Sequence, residues 1–471
     1  MSLHSSKAVL GLLFLTVALA SPLPPSSRFK PPVILIPGFG GSQIEAKLDD
    51  AELYYEHCAN RASDWTTLWV NVHLMDNYVD CWDDLAKLKY DKQTHTTSNP
   101  PGVHTRIPGF GNTTTLEYLT PNRRHYSIYM ATMIEAVFLP LGYKRGVDLR
   151  GAPYDFRKAP NEMQQYFENL REHIEEMYHE TSQKVVMLSH SMGSNIAHYF
   201  LIRQTQEWKD RHIETLVSVS GAWGGTVKAL QGFTTGYDLK EDAFDILKMR
   251  EAEETFPSFA YMLPSRGLWA PEEVIIQSGN ASFTVYTYKE LFEALNLEDG
   301  YNMYLDTKDL IQYDVAPGVF LHCITGNNVS TPEGFFFPEN DFRQVLRTSY
   351  GDGDGTVNQR SLDLCLQWGG LQEQEVRYET FDNAEHVHIL QNANFTSYLK
   401  ELIIDITNEN ELDSQNLLGH VELEKAEEET RMASLFREML WGRALSRSRF
   451  PREDDGQWST NPFWSHGDIY G

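Results

Sequence analysis

Ser191 stands at the centre of Ser189-His190-Ser191-Met192-Gly193, directly after the apolar run Val185-Val186-Met187-Leu188 and directly before a helical pattern. A serine hydroxyl becomes a nucleophile when a histidine takes its proton and a carboxylate orients that histidine. Small residues two positions to either side, here Ser189 and Gly193, are what a sharp strand-to-helix turn around a nucleophilic serine requires. The turn also sets the hydroxyl at a helix N-terminus, where the main-chain N–H of Met192 can donate to an oxyanion. A second donor is expected from Pro37-Gly38-Phe39-Gly40-Gly41, through the N–H of Phe39. Reading Ser191 as a plain helix cap leaves that glycine loop and the small flanking residues unexplained.

Around such a turn the acid and then the base follow the serine along the chain. The stretch "YGDGDGTVN" offers Asp352 and Asp354, and "FDNAEHVHIL" offers His386 and His388. Glycine-flanked aspartates also suit a calcium loop, but no glutamate stands where its bidentate ligand belongs. Of the two histidines, His386 falls in the loop and His388 opens the next helix, so spacing favours His386. Between the two aspartates spacing does not choose. His190, beside the serine, points away from the reacting centre and reads as structural.

These residues need a scaffold. Val33 to Ile36, Val185 to Leu188, Leu216 to Val219 and Val319 to Ile324 are continuous apolar runs, the mark of strands buried on both faces. Between Pro160 and Thr181, Met163, Tyr166, Phe167, Leu170, Ile174 and Met177 recur at helical spacing, and a second helix is expected over Met192 to Arg203. Alternating buried strands and amphipathic helices predict an α/β fold with a parallel sheet. Two segments break the alternation, residues 54–90, rich in Trp65, Leu68, Trp69 and Trp82, and residues 224–264; both are expected to be insertions over the active face. After about residue 411 the chain turns acidic, then carries an apolar face (Met432, Leu435, Phe436, Met439, Leu440), then basic residues; this extension, 411–471, is read as lying outside the catalytic domain of residues 21–410.

Residues 1–20 combine Lys7, an apolar run and the small-residue ending Ala18-Leu19-Ala20, the pattern of a secretory signal. No later stretch reaches the roughly 18 apolar residues of a membrane span. Sequons at Asn112, Asn280, Asn328 and Asn394 suit glycosylation on the same route. The chain has four cysteines, and proximity favours Cys58–Cys81 and Cys323–Cys365 as disulfides in an oxidising compartment. Neither spacing suits zinc. A formal net charge of -26 argues against nucleic acid as a partner. The chemistry calls for no cofactor.

The stretches "PVILIPGFGGSQIEAKLD", "GVHTRIPGFG", "RGAPYDFRKAPNE", "SHSMG", "GAWGGTVK", "DGDGTVN" and "NAEHVHIL" together resemble the lecithin:cholesterol acyltransferase family, most closely its lysosomal phospholipase A2 branch. The resemblance implies an α/β-hydrolase fold, with Ser191 as nucleophile, Asp354 rather than Asp352 as acid and His386 as base. It also implies both disulfides as paired above, a structural Asp155–Arg157 ion pair, a lid over about residues 225–250 and membrane contact through Trp65, Leu68 and Trp69. The activity implied is removal of an acyl chain from a glycerophospholipid and its transfer to water or a lipid alcohol, in the lysosome or outside the cell. A sterol acyltransferase, a neutral lipase and a catalytically silent lipid carrier are the alternatives. Members of the lysosomal branch carry Asp where Phe39 stands here, so a preference for acid pH does not carry over.

Overall fold

The computed structural model describes residues 29–121, 127–237 and 245–446. The signal sequence expected over residues 1–20, part of the second insertion and the last residues of the extension lie outside them. The chain forms two compact units, residues 1–410 and 411–471.

The first unit is built on a six-stranded sheet of β1 (Val33–Ile36), β2 (Leu149–Gly151), β3 (Val185–His190), β4 (Ile213–Val219), β5 (Leu321–Asn327) and β6 (Val376–Asp382), in the order β6-β5-β4-β3-β1-β2. Every pairing is parallel. The α/β fold with a central parallel sheet follows from strands whose two faces are both covered: all four residues of β1 are inaccessible to solvent, so an alternating pattern would have buried polar groups without partners. Five helices matter below: α1 (Val79–Ala86), α2 (Gln164–Thr181), α3 (Met192–Leu201), α4 (Ile246–Glu253) and α5 (Ala393–Ser446). Helix α2 buries Leu170, Ile174 and Met177, one stripe at helical spacing, and ends where Ser182 adopts a left-handed conformation. Strand order reverses between β1 and β3, so the loops after these two strands part and leave a crevice at their carboxyl ends, the usual ligand position in open α/β sheets.

β2 escapes the apolar-run criterion because its central residue is Arg150. That side chain is nonetheless buried, held by Glu176 and Glu180 of α2 at 2.7 and 2.6 Å. Two charge-assisted bonds make a charged residue tolerable in the sheet.

Within residues 54–90, the strand Ala62–Trp69 joins Ile44–Leu48 and Val103–Arg106 in a separate three-stranded sheet, and α1 follows. Leu68 and Trp69 are buried in the main core, which corrects the expectation that they touch a membrane. Trp69 packs on Trp82 and Phe156, and its indole N–H donates to Gly40 O at 2.7 Å. An aromatic residue with its one polar atom satisfied inside the protein has no reason to leave it. Trp65 is only half-buried, its ring covered by the Arg106 guanidinium at 4.5 Å. Arg157, almost wholly buried, is held by Asp155 at 2.9 and 2.7 Å and caps the end of α1 through Ala86 O at 3.0 Å.

Asp83 on α1 is buried with Lys87 Nζ at 2.5 Å. Burial raises its carboxyl to about 7 in spite of that lysine. In the unfolded chain the same group releases its proton near pH 4, so between about pH 4 and 7 the folded protein binds the extra proton and stability falls as pH rises. Asp83→Asn is therefore expected to unfold later than wild type at pH 7, by on the order of 1 kcal/mol after the lost Lys87 contact is discounted, with the gain vanishing towards pH 4. Urea unfolding at both pH values measures it. An equal difference at both would show that Asp83 does not titrate in this window.

Candidate active site

Ser191 sits between β3 and α3 at φ 57° and ψ -131°, a conformation that costs energy for any side chain and is kept only where the surroundings enforce it. The enforcement is visible. Ser191 N–H donates to Val219 O, and Ser194 N–H donates to Ser191 O, both at 2.9 Å. A Cβ on Gly193 would lie 2.3 Å from Pro37 O and 2.6 Å from Ile36 O, so only glycine lets the start of α3 press against the end of β1. Ser189 fills the other small position, and its hydroxyl joins a buried chain, Ser189 to Ser194 at 3.0 Å and Ser218 to Ser194 at 2.9 Å.

Gly193→Ala is expected to lower stability by about 3 kcal/mol, the upper range for overpacking against atoms that cannot move away, because both clashing atoms are backbone oxygens. A urea unfolding curve reads the loss. A stability within error of wild type would mean that the elbow has slack which these contacts deny.

Three side chains from three loops converge. His386 Nε2 lies 2.8 Å from Ser191 Oγ and its Nδ1 lies 2.7 Å from Asp354 Oδ2. The other oxygen, Asp354 Oδ1, accepts from the amides of Thr356 at 3.0 Å and Val357 at 2.7 Å, while Asp354 O accepts from His386 N–H at 2.8 Å. Asp354 is wholly buried. Burial raises its carboxyl, but the His386 charge and hydrogen bond, with the two amides, outweigh it and hold the group below the usual carboxylate range. The rejected pair is occupied elsewhere: Asp352 is exposed and accepts from Asn328 N–H at 2.7 Å, and His388 is exposed beside Glu385 at 2.8 Å.

The glycine loop after β1 closes over the serine. A Cβ on Gly38 would fall 3.2 Å from Ser191 Oγ, so the loop that carries Phe39 passes directly beside the serine. The amide of Met192 opens α3 and is one of the four at a helix start without an intrahelical partner. Phe39, Ser191 and Met192 line one narrow cavity with Ala222, Thr226, Ala229, Tyr237, Ser258, Phe259, Met262, Thr356 and Val357. The Phe39 ring packs on Phe259, Phe156 and Tyr237 at 4.7, 5.0 and 5.7 Å, which makes the wall beside the serine apolar. The array can form and break an acyl ester.

Tyr129 is a site residue that sequence reasoning missed. Its hydroxyl accepts from Gly38 N–H at 2.9 Å and lies 2.7 Å from His190 Nδ1, while His190 Nε2 lies 2.8 Å from His386 O. A carbonyl only accepts, so Nε2 carries the proton and Tyr129 O–H donates to Nδ1. Burial, with the neighbouring His386, pushes His190 down to about 3, leaving it neutral. His190 thus ties the glycine loop to the loop of His386. No local signal marks Tyr129, which is 61 residues from His190.

The remaining candidate residues lie away from this centre. Cys58–Cys81 and Cys323–Cys365 are bonded at 2.00 and 2.04 Å. Asn112, Asn280, Asn328 and Asn394 are all exposed. Helix α4 in the second insertion meets α1 of the first through Lys248–Asp80 at 2.5 Å and Glu251–Lys87 at 3.3 Å.

The profile of the lecithin:cholesterol acyltransferase family matches residues 65–393. The Homo sapiens lysosomal phospholipase A and acyltransferase is 40% identical over 400 residues, covering 84% of this chain and 96% of that protein. The Gallus gallus phosphatidylcholine-sterol acyltransferase is 35% identical over 372 residues, 79% of this chain and 89% of that protein. The Mus musculus phosphatidylcholine-sterol acyltransferase is 32% identical over 375 residues, 79% and 85%.

Proposed function

This chain belongs to the lecithin:cholesterol acyltransferase family, and we propose that it is a serine phospholipase A and O-acyltransferase acting on glycerophospholipids. The observation that carries the reading is the unbroken line from Asp354 Oδ2 through His386 to Ser191 Oγ. In this reading Ser191 Oγ attacks an ester carbonyl carbon while His386 Nε2 takes its proton. The new oxyanion accepts from the N–H groups of Phe39 and Met192. Collapse breaks the bond to the glycerol oxygen, which leaves with the proton from His386, giving lysophospholipid and an acyl-Ser191 ester. Water or a lipid alcohol then gives its proton to His386 and attacks that ester; the bond to Ser191 Oγ breaks, Oγ takes the proton back from His386, and a fatty acid or an acylated alcohol is released.

The scaffold is read as an α/β-hydrolase domain, residues 21–410, with residues 54–90 as a membrane-contact insertion, 224–264 as a lid region and 411–471 as an extension. Within the first insertion, Trp65 and the exposed Tyr54 and Tyr78 replace Leu68 and Trp69 as the groups that could meet a bilayer, since amphipathic aromatics suit that interface. Among the described residues no helix is long and apolar enough to cross a membrane. Two disulfides suit an oxidising compartment, and the lysosome is the proposed site, with secretion as the alternative.

Product analysis tests the proposal. Purified protein on phosphatidylcholine vesicles is expected to release lysophospholipid and fatty acid, and acylated alcohol when a ceramide-like alcohol is added. A serine-directed phosphonate is expected to label Ser191. Sterol ester as the dominant product would favour the sterol acyltransferase reading. Neither product nor label from folded protein would leave the carrier.

A further inference from the structure

The extension carries a bare apolar face at a reversal of charge. Between residues 411 and 430 stand seven acidic residues and one lysine; between 431 and 446 stand three arginines, Arg431, Arg437 and Arg443, and one glutamate. The charge reverses within one continuous helix, α5. At the reversal Met432, Leu435, Phe436 and Met439 are 60%, 48%, 63% and 60% exposed. Their spacing of three, one and three puts them on one face of the helix, with Arg431 and Arg437 exposed beside it. In a chain of net charge -26, a bare apolar face flanked by the exposed Arg431 and Arg437 is matched to a surface both apolar and anionic.

We propose that residues 431–446 of α5 lie in the interface of a membrane rich in anionic lipid, the apolar face among the acyl chains and the arginines at the head groups. A second copy of the chain fits less well. A helical pair needs an apolar seam sustained over several heptads, and Glu424 to Arg431 holds no large apolar residue. The segment lies beyond residues 65–393 that match the family. It does not depend on the catalytic reading.

The test is flotation of the full chain with vesicles of phosphatidylcholine, with and without phosphatidylserine, in a Ser191→Ala background so that the lipid stays intact. The chain is expected to float with the anionic vesicles and to release as salt rises. At roughly five-fold per basic charge, Arg431→Gln with Arg437→Gln is expected to weaken that partitioning about 25-fold. Leu435→Glu with Phe436→Glu is expected to remove the contribution of the extension altogether. Both pairs are exposed, and unchanged thermal unfolding of the first unit controls for damage. Equal flotation of wild type and both variants overturns the proposal, as does no flotation of wild type. A change from oligomer to monomer in the Glu variant, seen by light scattering, also overturns it and assigns the face to a second copy.

Discussion

Ser191→Ala is expected to lower turnover of phospholipid by about 10⁶-fold while leaving the fold intact. The variant keeps every contact that shapes the turn, since Val219 O and Ser194 N–H meet the backbone of residue 191 and not its side chain. What it loses is the hydroxyl placed 2.8 Å from His386 Nε2. The residual rate, roughly 10³-fold over solution, is expected from the oxyanion donors and binding alone. Adding His386→Ala is expected to cost almost nothing more, because a base without its nucleophile has no proton to take. Steady-state release of fatty acid from vesicles measures all three proteins. A Ser191→Ala enzyme within tenfold of wild type would remove the serine mechanism, and a further large loss in the double variant would mean that His386 activates water directly.

Asp354→Asn is expected to lower turnover by about 10⁴-fold, for a reason specific to this loop. Oδ1 of residue 354 accepts from the Thr356 and Val357 amides, so the amide oxygen of the new asparagine must take that place. Its Nδ2 then faces His386 Nδ1 as a donor. The imidazole answers by placing its proton on Nε2, where it points at Ser191 Oγ and cannot receive one. The base is lost although its position is kept. Stability is expected to fall at neutral pH and to approach that of wild type in acid, because the wild-type carboxyl sits below its usual range and its stabilising contribution, absent from the variant, is lost from wild type as pH falls through that range. A rate that recovers at higher pH would fit slow return to the useful tautomer; a rate equal to wild type would show that Asp354 does not orient the base.

Much of the sheet was legible because burial on both faces writes itself as an apolar run. The run over β1 matches the strand at both ends, whereas the run over β3 stops short, the run over β4 starts late and the run over β5 is displaced towards the N-terminus. β3 continues through Ser189 and His190 and β4 begins at Ile213, since a polar residue with a hydrogen-bond partner can occupy a buried strand while looking like a loop. β2 was illegible for the same reason, Arg150 being held by two glutamates from a helix. The aromatic cluster of residues 65–82 shows the converse. Composition alone cannot say which large apolar residue faces lipid and which faces core, and Leu68 and Trp69 went inward because the strand that carries them ends against Gly40 and Trp82.

By itself the sequence determined what is local: the buried strands, the α/β alternation, and the small residues around Ser191 that a strand-to-helix turn demands, because these depend on neighbours within a few residues. Which carboxylate and which imidazole stand beside Ser191, and that Tyr129 and His190 brace them, only the tertiary structure decided. Asp352 and Asp354 are separated by one glycine, so spacing does not choose between them, and for His386 and His388, separated by one valine, spacing gives only a preference. They are distinguished by hydrogen bonds to residues far away in sequence, which exist only once the loops after β3, β5 and β6 meet at the carboxyl end of one sheet.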